Sequence, residues 1–110
     1  MLFRSVIAGA VLSPPACERM RELLARSLDP KARAADPENR VDGFLGEGLG
    51  GGAKLWSKAG WMSQARHDAA YVEPAAGDPF LLVVFSEGRE RAADATLLPQ
   101  LAARLEAWQP

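Results

Sequence analysis

The fold is decided by one stretch in the middle of the chain, residues 55–71, which read LWSKAGWMSQARHDAAY. Apolar and polar residues alternate over Lys54–Ala59, a pattern typical of a half-buried strand. A short excursion follows Gly60, and a second strand is predicted over Asp68–Glu73. Because the two strands are close in sequence, we predict that they pair antiparallel.

The segment after this pair predicts a third strand and a terminal helix. Pro74–Pro79 has the length of a hairpin loop, and Phe80–Phe85 is an unbroken apolar run that predicts burial on both faces. A helix is indicated by the apolar stripe of Leu98, Leu101, Leu105 and Trp108. Pro99 fits either the first turn of this helix or a kink in a helix that begins near Ala92.

The segment before it predicts a helix and then an exposed connection. Ser13 can cap a helix that opens with Pro14-Pro15 and ends at Asp29-Pro30. The charged, alanine-rich residues 29–40 are predicted to be an exposed connection, and the glycine tract 46–52 to be flexible. Residues 1–12 are interpreted as a helix or buried segment, with an uncleaved anchor as the alternative; they contain no convincing signal peptide.

Composition indicates one globular domain over residues 1–110, with an α+β fold: a three-stranded antiparallel sheet with packed N-terminal and C-terminal helices. The net charge of −1 disfavours a nucleic-acid partner. One cysteine and one histidine cannot form a disulfide or a Cys/His metal cluster, so we predict no metal and no cofactor. The apolar run 80–85 is too short to span a membrane.

The central stretch carries a resemblance to a known family. Lys58-Ala59-Gly60 ends one strand and Arg66-His67-Asp68-Ala69-Ala70 opens the next. This arrangement resembles the third motif of serine β-lactamases and penicillin-binding proteins, a Lys-Thr/Ser-Gly followed by an Asn-Asp-Ile-Ala-like strand opening. The later strand and the helix ending in Trp108 also match that fold, so the resemblance implies the C-terminal fragment of a larger β-lactamase-like domain.

The resemblance implies a role for each residue of the motif. Lys58 would place a positive charge beside the nucleophile, and the backbone N–H of Trp61 would stabilise the oxyanion, which makes these two the candidate catalytic groups. Gly60 would let the substrate backbone lie along the strand, and Arg66 would bind the substrate carboxylate. Ala59, a third substrate-binding position, replaces the Thr or Ser of the family. Asp68 would brace the strand opening.

The first two motifs of the family are absent from the sequence. No serine has Lys three positions on; Ser63 and Ser86 have Arg there, and arginine cannot act as a general base. The resemblance implies that the complete protein transfers an acyl group to water from an amide or β-lactam, using a small-molecule or peptide amide substrate. The missing motifs predict that this chain is inactive alone. The family is usually exported, but the sequence leaves the compartment open.

Two other interpretations remain open. The chain could be a D,D-peptidase or glutaminase-like relative of the same fold. It could also be a non-catalytic module that associates with itself, because an unpaired apolar edge at Phe80–Phe85 predicts a homodimer. In a purely structural interpretation, Lys58 is a solvated strand residue and Trp61 belongs to a small core.

Overall fold

The computed structural model describes residues 2–108 as helices packed on one antiparallel sheet, whose strands lie in the order β1–β2–β3–β4. The strands are β1 (Ala25–Arg26), β2 (Lys54–Met62), β3 (Ala65–Glu73) and β4 (Phe80–Glu87). The helices are α1 (Leu2–Ile7), α2 (Pro14–Leu24), α3 (Pro30–Ala35), α4 (Arg89–Ala93) and α5 (Leu97–Trp108), with a 3-10 helix at Leu45–Gly48.

The sheet has four strands, so the prediction of three was wrong. The added strand, β1, pairs antiparallel with β2 through Ala25 opposite Trp56 and Arg26 opposite Leu55. Two residues cannot show an alternating pattern, and the apolar stripe of α2 runs past them to Leu28 in the sequence. The sequence therefore predicted a helix at Ala25–Arg26, where the chain forms the edge strand β1.

The two faces of the sheet are covered differently. On the inward face, Leu55 and Val72 pack into a core that contains the 3-10 helix and α5. On the outward face, α1 and α2 contact the end of the sheet that carries Trp56. The rest of that face is open, since Val83 is 44% exposed and Phe85 is 78% exposed. The prediction that Phe80–Phe85 is buried on both faces was therefore wrong, because the outward face of β4 is left open at Val83 and Phe85.

The helices follow their capping signals. Ser13 Oγ accepts a hydrogen bond from the backbone N–H of Ala16, which confirms the predicted start of α2. Pro99 lies in the first turn of α5, and α4 is a separate short helix before it. The predicted exposed connection 29–40 contains α3, which Asp29 caps by accepting from the N–H of Ala32 at 3.0 Å. Within residues 2–108, no helix is long and apolar enough to cross a bilayer.

The first half of the glycine tract is packed rather than flexible. Gly46 and Gly48 belong to the 3-10 helix, which contacts α5. A Cβ added at Gly48 would lie 1.9 Å from the carbonyl oxygen of Pro99 and 3.1 Å from the backbone nitrogen of Ala103. Both of these neighbours are backbone atoms, so neither can rotate away.

We expect Gly48→Ala to lower the free energy of unfolding by about 1–3 kcal/mol, because α5 must move off the 3-10 helix. Gly51→Ala is the matched control, since nothing lies within 4 Å of a Cβ placed there. Urea denaturation of both variants measures the difference. Equal stability of the two variants would show that α5 does not press on Gly48.

Candidate functional site

The third-motif residues lie on the β2–β3 hairpin. β2 turns into β3 through Ser63–Gln64, and Gly60 pairs with His67 across the hairpin. β1 reaches only to Trp56, so beyond that residue this edge of β2 has no partner strand within residues 2–108. An open strand edge beside a glycine is a surface on which an extended backbone can pair as an additional strand.

Lys58 and Ala59 face opposite sides of the sheet, as strand alternation requires. Lys58 is exposed on the outward face, and its ammonium group contacts the carbonyl oxygen of Ala59. Ala59 is 9% exposed and belongs to the core on the inward face. Gly60 is not required by packing, since a Cβ there would come no closer than 3.8 Å to His67.

A cleft of about 410 Å³ opens beside this edge of β2. Its lining side chains are Arg26, Glu38, Arg40, Phe44, Lys58, Ala59 and Trp61. Three of them are cationic and one is anionic, which favours an anionic group in the cleft. The sequence analysis missed Arg26 and Arg40, because neither stands in a motif and only the folded chain brings them to Lys58.

Arg66 is buried beneath the cleft rather than exposed in it. Its side chain is 4% exposed, and its guanidinium lies 4.8 Å from the ring centre of Trp61 and 5.1 Å from that of Phe44. Its Nε donates to the carbonyl of Ala92 at 2.9 Å and its Nη1 to the carbonyl of Gly43 at 3.0 Å. Two nitrogens of the guanidinium, Nε and Nη1, are therefore committed to contacts within the chain.

Trp61 covers Arg66 and also faces solvent. Its side chain is 60% exposed, and its indole N–H donates to the carbonyl of Ala92 at 2.8 Å. The same carbonyl accepts from Arg66, so the indole and the guanidinium are fixed against each other. Trp61 thus forms one wall of the cleft, and its side chain is held in place from below.

Ser57 and Asp68 bury polar groups on the inward face, at 0% and 2% exposure. Asp68 Oδ2 accepts from the backbone N–H of Leu45 at 3.0 Å, which ties the 3-10 helix to β3. Burial raises the pKa of Asp68 from 3.8 to about 6; the N–H groups of Leu45 and Ala69 and the charges of Arg26 and Lys58 oppose this rise. The burial of these two residues could have been predicted from strand alternation, since both lie on the same face of the sheet as Leu55.

His67 links β3 to β4. Its Nδ1 accepts from the backbone N–H of Ser86 at 3.1 Å, and its ring meets Phe85 edge-on with centroids 5.1 Å apart. These contacts give His67 a structural role. In the part of the chain that the structure describes, no group of three His, Cys, Asp or Glu residues could hold a metal ion.

We expect Asp68 to make the protein less stable as the pH rises. Its pKa in the folded state lies above the unfolded value, so its contribution is complete below the unfolded pKa of 3.8 and is lost as the pH rises through about 6. Two pH units correspond to about 3 kcal/mol. Asp68→Asn should remove this part of the slope, and Asp78→Asn in the exposed loop should keep it. Urea denaturation between about pH 4 and pH 7 measures the slopes, and identical slopes for the two variants would contradict the assignment.

Comparison with known proteins places this geometry in a family. A model of the β-lactamase enzyme family matches residues 1–109. The structure of PBP-A superposes with a TM-score of 0.73 at 20% identity, over 96% of this chain and 36% of the other. A PBP-A variant, solved as an acyl-enzyme complex with penicillin G, gives 0.75 at 20% identity with the same coverage.

A third solved structure is a variant of the last common ancestor of class A β-lactamases of Gram-negative bacteria. It superposes with a TM-score of 0.68 at 25% identity, over 96% of this chain and 37% of the other. No curated protein matches the chain. The chain spans just over a third of the length of these solved structures. Since the family model covers nearly every residue, the chain belongs to the β-lactamase enzyme family.

Proposed function

We propose that the chain is the C-terminal portion of a β-lactamase-like serine hydrolase and that it has no acyl-transfer activity alone. The observation that carries the proposal is the position of Lys58 and Gly60 on an open edge of β2, in a chain that belongs to this family. In the reaction, a serine oxygen outside this chain forms a bond to the carbonyl carbon of an amide or β-lactam. The carbon–nitrogen bond breaks, the nitrogen takes a proton, and water then hydrolyses the acyl-enzyme.

The residues of β2 supply positioning and charge in this proposal. The ammonium of Lys58 stabilises negative charge near the nucleophile, and the backbone N–H of Trp61 donates to the oxyanion. Gly60 leaves the edge bare, which is consistent with a glycine that packing inside the chain does not require. Ala59 provides no hydroxyl to a substrate carboxylate.

Arg66 has a different role from Lys58 in the proposal, because it acts on the position of Trp61 rather than on the reacting groups. Its Nε and Nη1 donate to the carbonyl groups of Ala92 and Gly43, so direct binding of a substrate carboxylate would fall to Nη2 of a side chain that is only 4% exposed. We therefore assign it mainly to holding Trp61 in place. A D,D-peptidase or a glutaminase-like enzyme would use the same edge, and the three activities differ in the amide that is cleaved.

Acylation by penicillin G, followed by intact-protein mass spectrometry, tests the proposal. The chain alone should give no adduct, because none of its serines stands in a Ser-x-x-Lys motif. A chimera in which this chain replaces the matching C-terminal part of PBP-A should be acylated. In that chimera, Lys58→Ala should slow acylation by about 10²-fold, as expected for the loss of one preorganised charge.

Lys54→Ala in the same chimera is the matched control, since Lys54 is an exposed lysine on the same strand. Circular dichroism establishes that each chimera is folded. A stoichiometric adduct on the chain alone would contradict the proposal. So would a folded chimera that is not acylated, or one that reacts equally fast with and without Lys58.

A second candidate function is self-association, and the exposure of β4 favours it. No described strand pairs with the outer edge of β4, and Val83 and Phe85 expose apolar surface beside that edge. Between Phe80 and Phe85 there is no charged residue or proline to discourage pairing with another strand. A second copy of β4 would satisfy the backbone groups and cover both side chains.

We expect the chain to dimerise at high concentration and Val83→Lys to weaken the dimer, because the charge would be buried between the two copies. Val11→Lys is the matched control, with 45% exposure at Val11 against 44% at Val83. Sedimentation across a concentration series measures both. A wild-type chain that stays monomeric throughout the series would exclude this function.

A further inference from the structure

Three buried polar atoms on neighbouring strands have no hydrogen-bond partner within the described chain. They are Nε of Arg26 in β1, Oγ of Ser57 in β2 and Oδ1 of Asp68 in β3. Buried groups of this kind cost free energy unless something satisfies them. Their occurrence at one place, on three successive strands, points to a shared partner.

The register of the sheet brings the three side chains together on the inward face. Arg26 lies opposite Leu55, and its Nη2 reaches along β2 to donate to the carbonyl of Ser57 at 3.0 Å. Ser57 pairs with Ala70, so it is a diagonal neighbour of Asp68. Diagonal neighbours have Cα atoms about 7–8 Å apart. Ser57 Oγ and Asp68 Oδ1 make no hydrogen bond to each other in this structure, which suits one bridging molecule between them.

We propose that Arg26, Ser57 and Asp68 bind one water molecule beneath the strand that carries Lys58, and that this water couples the ionisation of Asp68 to β2. The donors and acceptors balance. The water accepts from Arg26 Nε–H and from the Ser57 hydroxyl, and it donates to the Asp68 carboxylate. When Asp68 is protonated, its O–H donates to the water, and the water donates to Ser57 Oγ instead.

The coupling reaches Lys58 through a single peptide group. The carbonyl of Ser57, which accepts from Arg26, and the N–H of Lys58 belong to the same peptide unit. When Asp68 ionises, the hydrogen bond between the water and the Ser57 hydroxyl reverses, so that the hydroxyl becomes the donor. Arg26 is also attracted toward the new negative charge. The hydrogen bond from Arg26 to Ser57 then changes, and the amide of Lys58 reports that change.

The charged groups around Asp68 come from three packed elements. Arg26 and Lys58 act on it from β1 and β2. Glu47 of the 3-10 helix accepts from the N–H of Gly43 at 2.6 Å, and Arg66 lies two residues before Asp68 on the same face of β3. From β4 the residue opposite Asp68 is Val84, which carries no charge. Asp68 is the carboxyl group of this set whose pKa is raised, to about 6.

Amide NMR of the full chain, recorded between about pH 4 and pH 8, tests the proposal. The amides of Leu45 and Lys58 should titrate with one common midpoint near the pKa of Asp68. Ser57→Ala should raise this midpoint by about half a pH unit or more, because the water loses the hydroxyl that orients it as a donor to the carboxylate, and that donation favours the charged form of Asp68. Ser63→Ala, in the exposed turn, is the matched control and should leave the midpoint unchanged.

Three outcomes would overturn the proposal. The first is a Lys58 amide that does not follow Leu45, and the second is a midpoint that is the same in Ser57→Ala and in the wild type. The third is the absence of a nuclear Overhauser contact between a long-lived water and the Ser57 side chain. Asp68→Asn should abolish the common titration. If that variant does not fold, Ser57→Ala still tests the proposal, because removing one hydroxyl is a smaller change and its midpoint can be compared with that of the wild type.

Discussion

One buried cation holds the sheet to the segments before and after it. The guanidinium of Arg66 on β3 donates to Gly43, which precedes the 3-10 helix, and to Ala92 in α4. A buried guanidinium is tolerated when its donors find carbonyls and its faces find aromatic rings, and Phe44 and Trp61 provide those rings. Gly43 must remain glycine for this approach, since its φ is +80° and an added Cβ would lie 3.0 Å from Arg66 Nη1.

The candidate site depends on this arrangement, although Arg66 is not exposed in it. Trp61 forms a wall of the cleft because its indole is bonded to the carbonyl that Arg66 also uses. Lys58 lies on the same strand as Trp61, three residues earlier in sequence and on the other face. The inward face of β2 therefore provides rigidity, and its outward face at Lys58 and its edge beyond Trp56 are left exposed within the described residues.

Local patterns in the sequence predicted the three long strands and both major helices, because alternation, helical spacing and caps are short-range signals. The sequence placed the end of β2 at Ala59 and the start of β3 at Asp68, but the ladder continues to Met62 and resumes at Ala65. Ser63–Gln64 contains no Gly or Asn, the residues that mark tight hairpin turns. The sequence therefore gave no local indication that the two strands extend to Met62 and from Ala65. The candidate site residues came instead from the resemblance of residues 58–70 to a family motif, and their roles stay predictions. The position of Arg26 and Arg40 in one cleft with Lys58, and the burial of Arg66, arise from contacts distant in sequence.

The meander of β2, β3 and β4 has a consequence for the order in which the protein folds. Each of these strands pairs with its neighbour in sequence, through the turn Ser63–Gln64 and then the loop 74–79. Short loops cost little entropy to close, so this sheet can assemble early and by itself. The bonds from Arg26 to Ser57 and from Leu45 to Asp68 close loops of 31 and 23 residues, so we expect them to form later. The β2–β3 hairpin is thus held mainly by contacts that are local in sequence, and a chain about a third as long as its solved relatives retains this strand pair.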